Sequence, residues 1–268
     1  MRALSISAAW EETRAILARD GRLYVSVALA LIALPSVINM LVNPSGVNTA
    51  APALIVWLVA TLIGLAGQLA LIRLAIGPST TVAAAISHGL RRMPIYLLTF
   101  LLLGLGLFLI AIPVGLAMVL LGVPVTRTGM QIPASPVTVI LSLLYLAVMI
   151  FFAVRMILSA PVASAEEVGP IAILRRSWGL TAGRWWPLFG FLVLFVIGTV
   201  IVMMAVGSAV GVVVRLTLGP VEPLSAAALV LALVQSLVGA ALQGLFALML
   251  ARIYLQVAGV ADQAEVFR

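Results

Sequence analysis

Residues Ser159–Gly190 read SAPVASAEEVGPIAILRRSWGLTAGRWWPLFG, and this stretch decides how the rest of the chain divides. It holds two of the eight acidic residues (Glu166, Glu167), three of the fifteen basic ones (Arg175, Arg176, Arg184) and three of the five tryptophans (Trp178, Trp185, Trp186). Long apolar runs flank it on both sides. Pro170, with fixed φ and no N–H, suits a first helical position, and Gly183 can take the left-handed conformation that ends a helix. A helix over Pro170–Ala182 places Ile171, Leu174, Trp178 and Thr181 on one side, with Ile173 and Leu180 flanking. Arg175, Arg176 and Gly179 fall on the other. So short and charged a helix is expected in a membrane interface, with Trp185 and Trp186 at headgroup level.

Composition makes the same case for the whole chain. It is 64% hydrophobic and only 9% charged, where soluble domains carry roughly 25% charge, and the mean hydropathy is +1.29. We expect an all-α integral membrane protein, a single domain over residues 1–268. Six runs approach or exceed the roughly 20 residues that cross a bilayer: 23–42, 53–76, 95–121, 137–160, 188–214 and 226–254. They pair as three hairpins, each preceded by an amphipathic segment expected to form its own interfacial helix: Ser7–Arg19, Ser79–Arg92 and Pro170–Ala182. Ser7, and Ser79 or Thr80, are the expected N-caps of the first two, and Gly21 is expected to end the first. The leader up to Arg22 is too long and too acidic for a signal peptide and is expected to be retained. Pro35 should kink the first span. Gly207-x-x-x-Gly211 in the fifth has a spacing that lets helix backbones approach closely.

The local pattern, an acid, Gly169-Pro170, a helix carrying Arg175-Arg176-Ser177-Trp178, then Gly183-Arg184 and two tryptophans, resembles the membrane domain associated with glycerophosphoryl diester phosphodiesterases and its stand-alone relatives. The match runs from Arg155 to about Leu194. The resemblance implies a polytopic membrane domain linked to glycerophosphodiester or lipid metabolism. It also implies that the phosphodiesterase activity would belong to a separate barrel domain with catalytic histidines and metal-binding carboxylates, a pattern not found in these residues.

No catalytic constellation is legible. There is no cysteine, so no thiol nucleophile or thiolate metal site, and His88 stands as the sole histidine, read as a solvated headgroup residue. No metal or cofactor is expected. Glu166 and Glu167 are read as stabilising the helix start near Pro170 or pairing with arginine. Three arginines, Arg73, Arg155 and Arg252, recur near the ends of even-numbered spans. Two readings stay open: side chains snorkelling to water and setting topology, or a site for a lipid phosphate or an intramolecular carboxylate such as Glu166 or Glu167 beside Arg155. Gln68, Gln235 and Gln243 are read as interhelical hydrogen-bonding groups, with a substrate path as the alternative.

All fifteen basic residues are arginine, a bias expected of a GC-rich bacterial genome. Thirteen fall on one side of the six spans, and Arg127 and Arg215 on the other. The positive-inside rule then places both termini in the cytoplasm of a bacterial inner membrane. A net charge of +7 spread along membrane edges points to anionic lipid, with a protein partner on the cytoplasmic face also open and nucleic acid excluded. The expected function is a non-catalytic membrane protein that interacts with lipid or docks a partner. The alternative is a small transporter or flippase-like protein with a cavity between the hairpins, for which the scattered glutamines and Asn39 are the polar groups read at mid-membrane depth.

Overall fold

The computed structural model describes residues 4–42, 51–77, 81–121, 125–126, 129–130, 136–222 and 224–266. Six helical stretches among them are long and apolar enough to cross a membrane. Helix α1 (Ile6–Ala28) passes through a π-helical turn (Leu29–Ala33) into α2 (Leu34–Val42), and α3 (Ala51–Ile76) returns. Helix α4 (Val82–Leu120) leads through a two-residue antiparallel pairing, β1 (Val125–Thr126) with β2 (Gly129–Met130), to α5 (Pro136–Arg155). Two short helices follow, α6 (Ser159–Ala165) and α7 (Pro170–Thr181), then the last pair, α8 (Trp185–Leu218) and α9 (Ala226–Val266).

The first two amphipathic segments are not separate helices. Residues 7–19 are the opening turns of α1, which starts one residue earlier, is capped by Ser5 and runs straight through Gly21. Ser79 and Thr80 lie outside the described residues, as do Arg2, Arg127, Arg268 and residues 43–50. Thr81 caps α4, whose helix continues through Pro94 and Pro113. Tertiary packing explains the continuity: Ala9, Thr13 and Ile16 are buried, and the Thr13 hydroxyl reaches Met249 Sδ of α9 at 3.4 Å. A single glycine costs a helix only about 1 kcal/mol, less than burying such a face returns. Pro35 makes its mark one turn upstream, where the Leu34 N–H bonds Leu29 O across a π-turn.

The fourth span breaks where the sequence expects it to continue. Helix α5 ends at Arg155, and after a turn the buried segment Ser159–Ser164 forms α6. By contrast α7 is framed as its sequence dictates, with Pro170 first and Gly183 at φ +72° just past its end. Its buried residues are Ile173, Ser177, Leu180 and Thr181, so α7 turns a face inward to the protein, while Ile171 and Trp178 stay exposed.

The core is concentrated at the end where α1 begins, α3 ends and α9 ends. Leu69–Ile72 of α3 and Ala247–Ala251 of α9 are buried on every side, and α6 and part of α7 close over them. Two glycines permit the approach. A Cβ at Gly89 of α4 would strike Ala66 O of α3, and one at Gly67 would sit 2.7 Å from Leu31 Cβ. Of the Gly207/Gly211 pair, only Gly207 makes a close approach, to the Gln235 amide.

Candidate functional site

The arginine-rich end is built around the exit of α6. A helix leaves its last carbonyls without partners, and they carry the negative end of its dipole. Here cations reach them from neighbouring helices. Arg92 donates from Nε to Ala163 O at 3.0 Å and from Nη2 to Val168 O at 3.0 Å and to Glu166 O. Arg73 Nη1 reaches Ser164 O at 3.5 Å, and His88 Nε2 lies 2.9 Å from the same oxygen. The buried Ser164 hydroxyl donates to Leu69 O at 3.0 Å and pins α6 to α3. His88 is therefore part of a protein contact rather than a solvated headgroup residue.

Of the other two membrane-edge arginines, one caps a helix carbonyl and one sits on aromatic rings. Arg252 Nη2 donates to Ala75 O, in the last turn of α3. The Arg155 guanidinium lies over the Trp178 ring at 4.9 Å and the Phe151 ring at 5.4 Å, an arrangement stabilised by the ring quadrupole. The expected pairing of Arg155 with Glu166 is not formed. Instead Arg176 Nε holds Glu166 Oε1 at 3.0 Å, and the Tyr254 hydroxyl donates to the same oxygen at 2.9 Å. Glu167 is exposed.

The Arg-Arg-Ser-Trp segment now has a physical reading. Ser177 donates to Arg155 O at 2.9 Å, capping the exit of α5, while the Thr181 hydroxyl, one turn on, lies 3.0 Å from Ser177 O, 3.1 Å from Trp178 O and 3.3 Å from Arg155 O. Trp178 carries the Arg155 cation, Arg176 neutralises Glu166, and Trp185 stacks on Phe189 with ring centroids 4.8 Å apart. Gly169 precedes α7 as its N-cap residue, Pro170 opens it, and Trp186 stays exposed at its far side.

One part of this end is not consumed by internal contacts. A groove of about 440 Å³ runs along α7, lined by Glu166, Arg175, Arg176 and Arg184 with Gly179 at its floor. Arg176 is committed to Glu166. Arg184 makes one bond from Nη1 to Leu180 O at 3.4 Å, and Arg175 is exposed. The groove thus carries three guanidinium groups against one carboxylate.

Arg92, Ser164 and Tyr254 had no signature in the sequence. Backbone carbonyls are the partners of Arg92, and a carbonyl looks the same at every residue. The polar side chains of the spans divide as well. Gln235 and Gln243 meet Asn39 at a cavity in the opposite half, whereas Gln68 lines a separate, mostly apolar cavity between α3, α4 and α5.

Six apolar spans with short connections define the class: a multi-pass helical membrane protein. Over residues 4–257 the chain matches a domain of unknown function, DUF7847, and belongs to that family. The family description names no phosphodiesterase. Comparison with curated proteins and with solved structures gives no match.

Proposed function

We propose that this chain is a non-catalytic membrane protein that holds anionic lipid at its arginine-rich end, in the groove beside α7. The observation that carries the reading is the charge imbalance of that groove: Arg175 and Arg184 remain beside an already neutralised Arg176–Glu166 pair. Guanidinium forks match phosphate oxygens in a way a point charge does not. Trp178, Trp185 and Trp186 border the same helix, and tryptophan favours the headgroup layer.

The reading includes an orientation. The thirteen-to-two division of arginines supports a cytoplasmic arginine-rich end in a bacterial inner membrane, with α7 lying along the interface. The likeness of Gly169–Trp186 to the membrane domain of glycerophosphodiester phosphodiesterases supports a role beside lipid metabolism.

The test is lipid retention. Protein purified from a mixed-lipid membrane should keep phosphatidylglycerol in preference to phosphatidylethanolamine, and Arg175→Gln with Arg184→Gln should remove the preference. Retention unchanged in the double variant would reject the groove as the lipid site. Retention lost together with a co-purifying protein would assign the groove to a partner instead.

A further inference from the structure

In the half of the bundle away from the arginines, a cavity of about 640 Å³ opens between α2, α3 and α9. Among the described residues, six polar side chains line it, Ser36, Asn39, Thr61, Gln235, Ser236 and Gln243, beside the indole of Trp57, and none of the lining is charged. We propose that this cavity binds a neutral polyhydroxylated group, either a free polyol or sugar, or the uncharged sugar headgroup of a lipid.

Depth comes first. At about 1.5 Å per residue, Gln235 and Gln243 stand ~13 and ~25 Å along α9 from Ala226. Polar groups at such depth must find partners, because hydrocarbon offers none. Yet Asn39 Oδ1 is buried with no hydrogen-bond partner among the described residues.

Hydrogen-bond polarity then selects the occupant. The Ser36 hydroxyl donates to Ile32 O at 2.7 Å and the Thr61 hydroxyl to Trp57 O at 2.8 Å. Both protons are spent, so these oxygens, like Asn39 Oδ1, can only accept, while the amide nitrogens of Asn39, Gln235 and Gln243 supply donors. A fitting occupant therefore brings hydroxyls, which both donate and accept, and, with no counter-charge among the described lining residues, carries no net charge itself, since an unpaired ion at this depth is costly. The Trp57 ring supplies a flat apolar wall for the C–H face of such a molecule.

The space is built into the backbone. A Cβ added at Gly64 or Gly239 meets nothing within 4 Å, so these glycines face the void rather than a neighbouring helix. Gly207 does the reverse: its missing Cβ would lie 2.8 Å from Gln235 Nε2, and the glycine thereby seats the amide at the cavity wall. The volume exceeds by many times the roughly 30 Å³ of one water and falls within the range of small-molecule sites. The site is separate from the arginine groove and does not depend on it.

The experiment uses full-length protein in phosphatidylcholine nanodiscs. It is titrated with sorbitol and with glucose, or assembled with glucosyl diacylglycerol among its lipids, with phosphatidylserine as the charged comparison. At least one neutral probe should bind saturably. Asn39→Leu and Gln235→Leu should each weaken that binding at least tenfold while leaving phosphatidylserine retention unchanged. Gly64→Leu and Gly239→Leu fill the void without meeting backbone and should weaken binding by the same factor at an unchanged unfolding midpoint, which covers any folding defect in the polar variants. Binding of the free polyols alone assigns a solute site, and binding of the glycolipid alone a headgroup site. If none of the three neutral probes saturates, or if saturation survives both glycine substitutions, the proposal is overturned.

Discussion

The two halves of α3 differ sharply in burial. From Ala66 to Ala75 nearly every residue is buried, and the carbonyls at that end receive Ser164 and Arg252. From Leu54 to Val59 the large side chains are about half exposed. Helix α9 repeats the contrast, with Ala247–Ala251 buried and Leu229, Leu233 and Leu237 exposed. The packed half of α3 is the less apolar of the two in sequence, carrying Gln68 and Arg73, so hydrophobicity alone does not mark the packed segment. What separates them is residue size and carbonyl capping: glycine and alanine let α3, α4 and α9 close up, and arginine then satisfies the helix ends brought together there. The opposite half lacks those contacts and opens into a cavity instead.

Several substitutions sharpen that contrast, and the largest effect belongs to Arg92. Arg92→Leu leaves the Ala163, Glu166 and Val168 carbonyls short of a donor, and an unsatisfied buried group costs about 1–3 kcal/mol. Loss of about 3 kcal/mol or more, read from denaturant unfolding in micelles, is expected. Next comes overpacking. Gly89→Val drives a side chain into the α3 backbone and should cost at least the ~1–3 kcal/mol typical of core insertions, whereas Gly211→Val, with open space around it, should shift the midpoint little. Ser177→Ala removes the 2.9 Å donor to Arg155 O and should cost about 1–2 kcal/mol. Arg155→Lys keeps the charge but loses the planar stack over Trp178, a change of about 0.5–1 kcal/mol. If it costs as much as Arg92→Leu, Arg155 has a partner beyond the two rings.

The spans were legible because a bilayer demands a length of apolar sequence that few other structures use. The frame of α7 was legible because Pro170 and Gly183 act locally, through φ and the missing N–H. Where the sequence misled, a distant contact overrode a local signal. Gly21 read as the end of the first segment and Arg92 as that of the second, but α1 packs on α9 and α4 on α3 and both helices run on. Helix α6 was missed because seven residues with no capping signal look like the end of the preceding span. The site was half legible: Glu166, Arg175, Arg176 and Arg184 do gather at one groove, while Arg73 and Arg252 turned out to serve helix carbonyls. Their partners lie 91 and 177 positions away in the chain, and backbone oxygens leave no mark in composition.

The division of labour among the arginines is the central claim, and one paired measurement tests it. Lipid retention and unfolding midpoint are recorded together for Arg92→Gln and for Arg175→Gln with Arg184→Gln. The account predicts a crossover: Arg92→Gln lowers the midpoint and, in the fraction that remains folded, retains phosphatidylglycerol as wild type does. The double variant keeps the wild-type midpoint and loses the preference for phosphatidylglycerol. If both proteins lose stability and lipid together, or if the double variant loses neither, the separation between carbonyl-capping and anion-facing arginines is contradicted.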